Sequence, residues 1–108
     1  MLKRGTIVLV PFPFTDLSGS KVRPAVVVSA GKVGADVTVL FITSQAKLRE
    51  KHLVPVKPDA HNGLKVPSKI VCSKLATLEA KIVLGELGRV SATTQKQVDT
   101  ELKGVLGL

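Results

Sequence analysis

The chain has 108 residues, of which 44% are hydrophobic, and its 16 basic and 8 acidic side chains give a net charge of +8. This length suits one domain, residues 1–108, with its own core. The apolar runs are far shorter than the roughly 18 to 20 residues that cross a bilayer, and no secretory signal is recognisable. We therefore expect a cytoplasmic protein that does not associate with membranes.

The few cysteines and histidines limit the chemistry available. Cys72 is the only cysteine, and His52 and His61 are the only histidines, which excludes an intramolecular disulfide and argues against a metal cluster. We expect no metal and no other cofactor. The positive charge favours an anionic partner, with nucleic acid as the leading class. Ordinary solubilising charge is the alternative, because the basic residues are spread along the chain.

The first half of the chain predicts three neighbouring strands of an antiparallel sheet. They are Thr6–Val10, Ala25–Ser29 and Val37–Thr43. Each is rich in β-branched residues, and Gly, Pro or Asp residues separate the strands. The loop between the first two, Pro11–Ser20, is too long for a tight hairpin and contains Phe12 and Phe14. Long loops with aromatic residues often serve a function.

The second half predicts further short strands followed by a helix. The strands are His52–Val56, a stretch near Ser68–Ser73, and a strand or extended link over Ile82–Glu86, with a short helical turn at Ala76–Glu79 before the last. From Ala92 to Leu106 the apolar residues recur at helical spacing, which predicts an amphipathic helix packed on the sheet. Ser91 is the expected N-cap and Gly107 the expected end.

Arg23 lies between a polar loop and a run of valines. Proline restricts the residue before it to extended geometry, so Pro24 places Arg23 at the mouth of the second predicted strand. A guanidinium held in this way can bind two phosphate oxygens at once. The third strand ends with the polar residues Thr43, Ser44 and Gln45, beside the second strand.

These residues resemble the MazF/PemK family of toxin endoribonucleases from type II toxin–antitoxin systems. The strongest parts are Asp16–Ser29, D-L-S-G-S-K-V-R-P-A-V-V-V-S, and Phe41–Gln45, F-I-T-S-Q. Gly63-Leu64, Pro67-Ser68-Lys69 and Leu87–Ser91 add weaker support. The resemblance implies a mainly β (α+β) fold, a small SH3-like β-barrel of five to six antiparallel strands with a C-terminal helix. It also implies a homodimer that cleaves single-stranded RNA sequence-specifically without metal, and a cognate antitoxin protein that covers the site.

The resemblance implies that Arg23 and Thr43 are catalytic, with Arg23 stabilising charge on the phosphoryl group and Thr43 donating a hydroxyl hydrogen bond. The expected RNA-binding residues are Phe14, Asp16, Lys21, Ser44, Gln45 and Lys47. Structural alternatives stay open for several of them. Arg23 could pair with a carboxylate across the dimer, Thr43 could cap a turn, and Phe14 could cover one end of the barrel.

The chain departs from some family members at the positions assigned to acid and base work. Those members carry Arg-Cys-Asp on the fifth strand, where this chain has Val71-Cys72-Ser73, and a histidine in the first long loop, where it has none. The group that removes the 2′-hydroxyl proton is therefore open. Asp16 and bound water are two candidates, and the third possibility is that the chain has reduced activity. The alternative functions are a non-catalytic nucleic-acid-binding or protein-binding barrel and a CcdB-like gyrase poison, which the absence of tryptophan disfavours.

Overall fold

The structure, a computed structural model, describes residues 2–12 and 21–108, and within these residues six strands form one antiparallel sheet. The strands are β1 Thr6–Phe12, β2 Lys21–Val27, β3 Asp36–Thr43, β4 Leu53–Val56, β5 Ser68–Glu79 and β6 Gly85–Arg89. Their order across the sheet is β4-β5-β3-β2-β1-β6. A 3-10 turn, Ala80–Ile82, links β5 to β6, and the helix α1, Ala92–Leu106, follows. The sheet curls into a half-barrel, which confirms the predicted mainly β fold with a C-terminal helix.

Both faces of the sheet are covered by apolar side chains because successive residues of a strand point to opposite faces. On the face that carries α1, Ile7, Leu40 and Ile70 are buried together with Val98 of the helix. The other face buries a second set of residues. These are Val8, Val10, Ala25, Val27, Val37, Val39 and Leu78. The sheet is thus the centre of two cores.

The helix begins and ends at the predicted residues. Ser91 Oγ accepts a hydrogen bond from Thr94 N at 3.1 Å, which satisfies one free amide of the first turn. Gly107 has a φ of 70°, and its amide donates to Lys103 O, as expected for a glycine that ends a helix. Within the described part of the chain, no helix has the length and apolar character needed to cross a membrane.

Arg4 connects the start of the chain to the residue after β2 and to α1. Its Nε donates to Val28 O at 2.9 Å, and its guanidinium pairs with Asp99 of the helix. The hydrogen bond from Arg4 holds the pKa of the Asp99 carboxyl below its ordinary value. Because both side chains are more than a third exposed, solvent screening keeps the contribution of this pair to stability small.

Three of the predicted elements are corrected by the structure. The second strand is Lys21–Val27 instead of Ala25–Ser29, so Arg23 lies inside the strand and not at its mouth. β2 pairs with β1 through most of its length, and this pairing carries the strand through Pro24. The stretch Ala76–Glu79 is not helical but continues β5, because it pairs with Asp36–Val39 of β3. The sixth strand begins at Gly85, later than predicted.

Candidate active site

The candidate site lies where β2 and β3 separate. Val28 N donates to Thr38 O of β3, whereas Val27 O accepts from Gly5 N on the side of β1. Backbone groups point alternately to the two neighbouring strands, so the nitrogen of Pro24 is directed towards β3. Proline has no amide hydrogen to donate there. The β2–β3 ladder accordingly ends next to Pro24, at the pair of Ala25 and Phe41.

Arg23 and Thr43 occupy matching positions on either side of this opening. Continuing the pairing of Ala25 with Phe41 by two residues places Arg23 opposite Thr43. The Arg23 side chain is exposed. Among the described residues the Arg23 side chain has neither an ion pair nor a hydrogen bond, and its guanidinium carries five N–H donors.

Thr43 is the last residue of β3, and its hydroxyl is oriented by the turn that follows. Thr43 Oγ1 accepts a hydrogen bond from Gln45 N at 3.2 Å. Because an oxygen that accepts in this way keeps its own hydrogen for another partner, the hydroxyl can donate towards the opening. The turn-capping interpretation and the catalytic interpretation of Thr43 are therefore compatible.

Two cavities meet at the opening. The larger one has a volume of about 440 Å³ and extends to the loop between β4 and β5. The smaller one has a volume of about 190 Å³ and reaches Val71 and Lys74 of β5. Both are lined by the same four residues at their junction, which are Arg23, Ile42, Thr43 and Gln45. A group held between Arg23 and Thr43 would thus have space on both sides.

Comparison with known proteins identifies the family. The family model described as the PemK-like, MazF-like toxin of type II toxin–antitoxin systems matches residues 3–106. The chain belongs to this toxin family. No curated protein matches the chain.

Solved structures similar to this MazF-like chain share its fold. An endoribonuclease from a mycobacterial species, in complex with its cognate antitoxin, has 22% identity and a TM-score of 0.77, over 98% of this chain and 95% of that one. The Mycobacterium tuberculosis toxin MazF-mt6 has 22% identity and a TM-score of 0.71, over 95% and 97%. MazF bound to MazE from Deinococcus radiodurans has 22% identity and a TM-score of 0.76, over 98% and 96%.

The predicted site residues of this MazF-like protein fall into three groups. Arg23, Thr43 and Gln45 line both cavities, and Ser44 lines the larger one. Two predicted RNA-binding lysines are exposed but line neither cavity; they are Lys21 at the start of β2 and Lys47 in the loop after β3. The other two predicted residues, Phe14 and Asp16, lie outside the described residues.

Lys74 is a site residue that the sequence did not reveal. The β3–β5 pairing passes from Leu40–Leu75 directly to Phe41–Val71, so β5 bulges over residues 72–74. This bulge contains Lys74, which reaches the cavity shared with Arg23. In the sequence, Lys74 directly follows Ser73, which stands at one of the two acid–base positions of some family members, and that location was the one available signal.

At the two fifth-strand positions that some family members use for acid–base work, Val71 and Ser73, this chain has no ionisable side chain. Val71 is buried and lines the smaller cavity. Ser73 Oγ donates to Glu50 Oε2 over 3.5 Å. The Cys72 thiol is buried, and desolvation together with the charge of Glu101 raises its pKa to about 11. This thiol stays neutral near pH 7 and fills space as a small apolar group.

The described lining of the two cavities is positively charged. It contains Arg23, Lys65 and Lys74 but no carboxylate and no histidine. In the described ranges, 2–12 and 21–108, no group of His, Cys, Asp and Glu side chains could hold a metal ion. The arrangement is suited to an anion, because a guanidinium, two ammonium groups and a hydroxyl all offer donors.

Proposed function

We propose that this MazF-like toxin is an endoribonuclease that cleaves single-stranded RNA at specific sequences without a metal ion. The observation that carries the proposal is the position of Arg23 and Thr43 at the junction of two cavities. A phosphodiester at the junction would leave room for one nucleotide on each side. The positive lining supports an RNA backbone as the occupant, because phosphate contacts supply most of the affinity of such proteins.

The proposed reaction uses the 2′-hydroxyl of the RNA as nucleophile. Its oxygen attacks the adjacent phosphorus as the bond to the 5′-oxygen breaks, which leaves a 2′,3′-cyclic phosphate and a 5′-hydroxyl. Arg23 binds two non-bridging oxygens through its planar fork and stabilises the charge that develops on them. Thr43 donates its hydroxyl hydrogen to the same group. One such donor typically accounts for about 10²- to 10³-fold in rate.

Two protons also move in this reaction. The 2′-hydroxyl loses one, and the departing 5′-oxygen gains one. Lys74 lines the smaller cavity and its ammonium group can donate to an oxygen there. For the base we retain Asp16 and bound water, because the described lining carries no carboxylate.

Mapping cleavage ends on a mixed pool of single-stranded RNA, with a chelator present, tests this function. We expect cuts at a defined sequence, with cyclic phosphate and 5′-hydroxyl ends. Arg23→Ala and Thr43→Ala should each slow cleavage by about 10²-fold or more. Lys32→Ala, an exposed lysine that lines neither cavity, is the matched control and should cut normally. Cleavage that is unchanged in Arg23→Ala would refute the assignment.

We further propose that the protein acts in the cytoplasm as a homodimer and is neutralised by a cognate antitoxin. The family and the net charge of +8 support an acidic antitoxin segment bound over the site. A mixture with the antitoxin should lose RNA cleavage, and light scattering of the purified toxin should give twice the mass of one chain.

A second candidate is a barrel of the same family that binds RNA without cleaving it. The absence of a carboxylate and of histidine from the described cavity lining favours this alternative. Salt-sensitive RNA binding without any cleavage product, in the same experiment, would select it.

A further inference from the structure

The wall of the larger cavity away from β2 and β3 is formed by the loop between β4 and β5. Gly63, Leu64, Lys65 and Val66 all line it. Lys65 and Val66 are exposed, and Leu64 is half-buried against the core beneath α1. This four-residue segment, the 63–66 wall, offers two aliphatic side chains and one charged donor.

A buried asparagine at the base of the wall fixes its position. The Asn62 side chain is fully buried. Its Oδ1 accepts from Leu64 N at 3.0 Å and from Asp59 N at 3.3 Å, while its Nδ2 donates to Lys57 O at 2.8 Å. One amide thus links the beginning of the loop to the wall. Because a buried amide is costly to leave without partners, these bonds resist displacement of Leu64.

The loop also touches β6 more closely than any side chain would allow. A Cβ on Gly63 would lie 2.4 Å from Leu87 O, and one on Gly88 would lie 2.1 Å from His61 O. His61 O accepts from Arg89 N at 2.9 Å. The backbone of the loop is therefore held against β6 on one side and tied to Asn62 on the other. A loop whose backbone is held in place in this way can present its side chains to a ligand in a fixed geometry.

We propose that the 63–66 wall is a nucleotide-binding subsite that selects one base next to the scissile phosphate. The inference rests on the proposed function. The cavity of about 440 Å³ lies within the range of ~300 to 1,000 Å³ that is usual for small-ligand sites. Leu64 and Val66 contact the face of the base, and Lys65 donates to an acceptor on its edge. Unstacked bases of single-stranded RNA are read in this way, by packing on a face and hydrogen bonds to an edge.

In this arrangement Asn62 is a positioning residue. It does not line the cavity, but it sets the place of Leu64 and hence of the wall. Its loss should therefore relax the choice of base at one position of the RNA, in the same way as the loss of Lys65.

The test compares the sequences that the wild type and its variants cleave in a randomised single-stranded RNA pool. Lys65→Ala should reduce the preference at one position beside the cut by roughly tenfold, the effect expected for one hydrogen bond from a charged donor. Preferences at the other positions should stay as in the wild type. Lys57→Ala is the control, because this exposed lysine belongs to the same loop but lines neither cavity. Equal slowing at all sequences, or a profile identical to that of Lys57→Ala, would overturn the proposal.

Asn62→Ala should relax the same position as Lys65→Ala. If this variant does not fold, Asn62→Asp keeps the acceptor for Leu64 N but sets a carboxylate oxygen against Lys57 O in place of the donor, and it should also relax the choice of base at that position. A normal preference in a folded Asn62→Ala protein would rule out the positioning role.

Selection of bound RNA from the same pool separates this inference from the proposed function. If the wild type binds RNA without cutting it, and Lys65→Ala relaxes one position of the bound sequences, the subsite stands and the nuclease proposal fails. If the wild type cuts RNA but no wall variant changes the preference, the nuclease stands and the subsite fails. A wild type that binds no RNA overturns both.

Discussion

At the residue scale, the candidate site depends on Pro24 and on the hydroxyl of Thr43 as much as on the guanidinium of Arg23. Pro24 directs its nitrogen towards β3 and cannot bond to it, so the strands part next to Arg23. Thr43 accepts from Gln45 N and keeps its hydrogen for a ligand. A guanidinium beside this hydroxyl can engage a phosphoryl group in one orientation, which a lone flexible cation could not impose.

Arg23→Lys tests whether this geometry matters more than charge. The variant keeps the positive charge but loses the planar fork that grips two oxygens. We expect the single-turnover cleavage rate to fall by about 10²-fold, with the affinity for RNA changed only a few-fold. Arg89→Lys, at an exposed arginine of β6 that lines neither cavity, should behave as the wild type. If Arg23→Lys kept more than half of the wild-type rate, charge alone would suffice.

At the scale of elements, the loop between β4 and β5, residues 57–67, packs closely against β6 near the site. Gly85 and Gly88 lie in the same strand, yet their surroundings differ. A Cβ on Gly85 would have no atom within 4 Å, whereas one on Gly88 would meet the carbonyl oxygen of His61 at 2.1 Å. The atoms that this Cβ would meet belong to the backbone of His61 and Asn62. They cannot move aside as the end of a flexible side chain would.

Gly88→Ala should therefore be destabilising and Gly85→Ala should not. Overpacking of this kind typically costs about 1 to 3 kcal/mol, while Gly85→Ala should stay within about 0.5 kcal/mol of the wild type. The free energy of unfolding from urea titration measures both. Equal values for the two variants would mean that the loop moves away from β6 without cost. In that case the 63–66 wall would not be rigid either.

The sequence predicted the elements whose signals are local. The helix Ala92–Leu106, its cap at Ser91 and its end at Gly107 were all recognisable from spacing and residue type. The extension of β5 through Ala76–Glu79 was not, because it depends on pairing with Asp36–Val39, far away in the chain. Long-range pairing of this kind overrides local preference.

The same distinction applies to the candidate site. Arg23 and Thr43 stood out because each lies in a recognisable local motif, and the structure brings both to one opening. Lys74 did not stand out, because the bulge that contains it produces no recognisable sequence pattern. Asn62 did not either, because a buried side chain with several hydrogen bonds produces none. The site residues that could not be predicted are those whose positions depend on contacts between residues distant from the local motifs.

At the scale of the whole molecule, part of the excess of basic residues lines cavities at two opposite ends of the sheet. Arg23, Lys65 and Lys74 line the cavities at one end. At the other end, where β2 ends and β3 begins, a separate cavity is lined by basic residues that include Lys3, Lys32 and Lys81. Total charge governs long-range attraction, whereas contacts to phosphates are made only where the RNA lies.

The salt dependence of RNA binding separates these two contributions. For single-stranded nucleic acid, the logarithm of the binding constant falls with the logarithm of salt concentration with a slope of about −0.7 for each phosphate neutralised. Lys74→Gln should make the slope shallower by about 0.7, because it removes one contact in the smaller cavity. Lys32→Gln removes the same charge at the far end and should leave the slope as it is. If both variants changed the slope equally, the RNA would be held by the overall field of the protein and not by the site at Arg23 and Thr43.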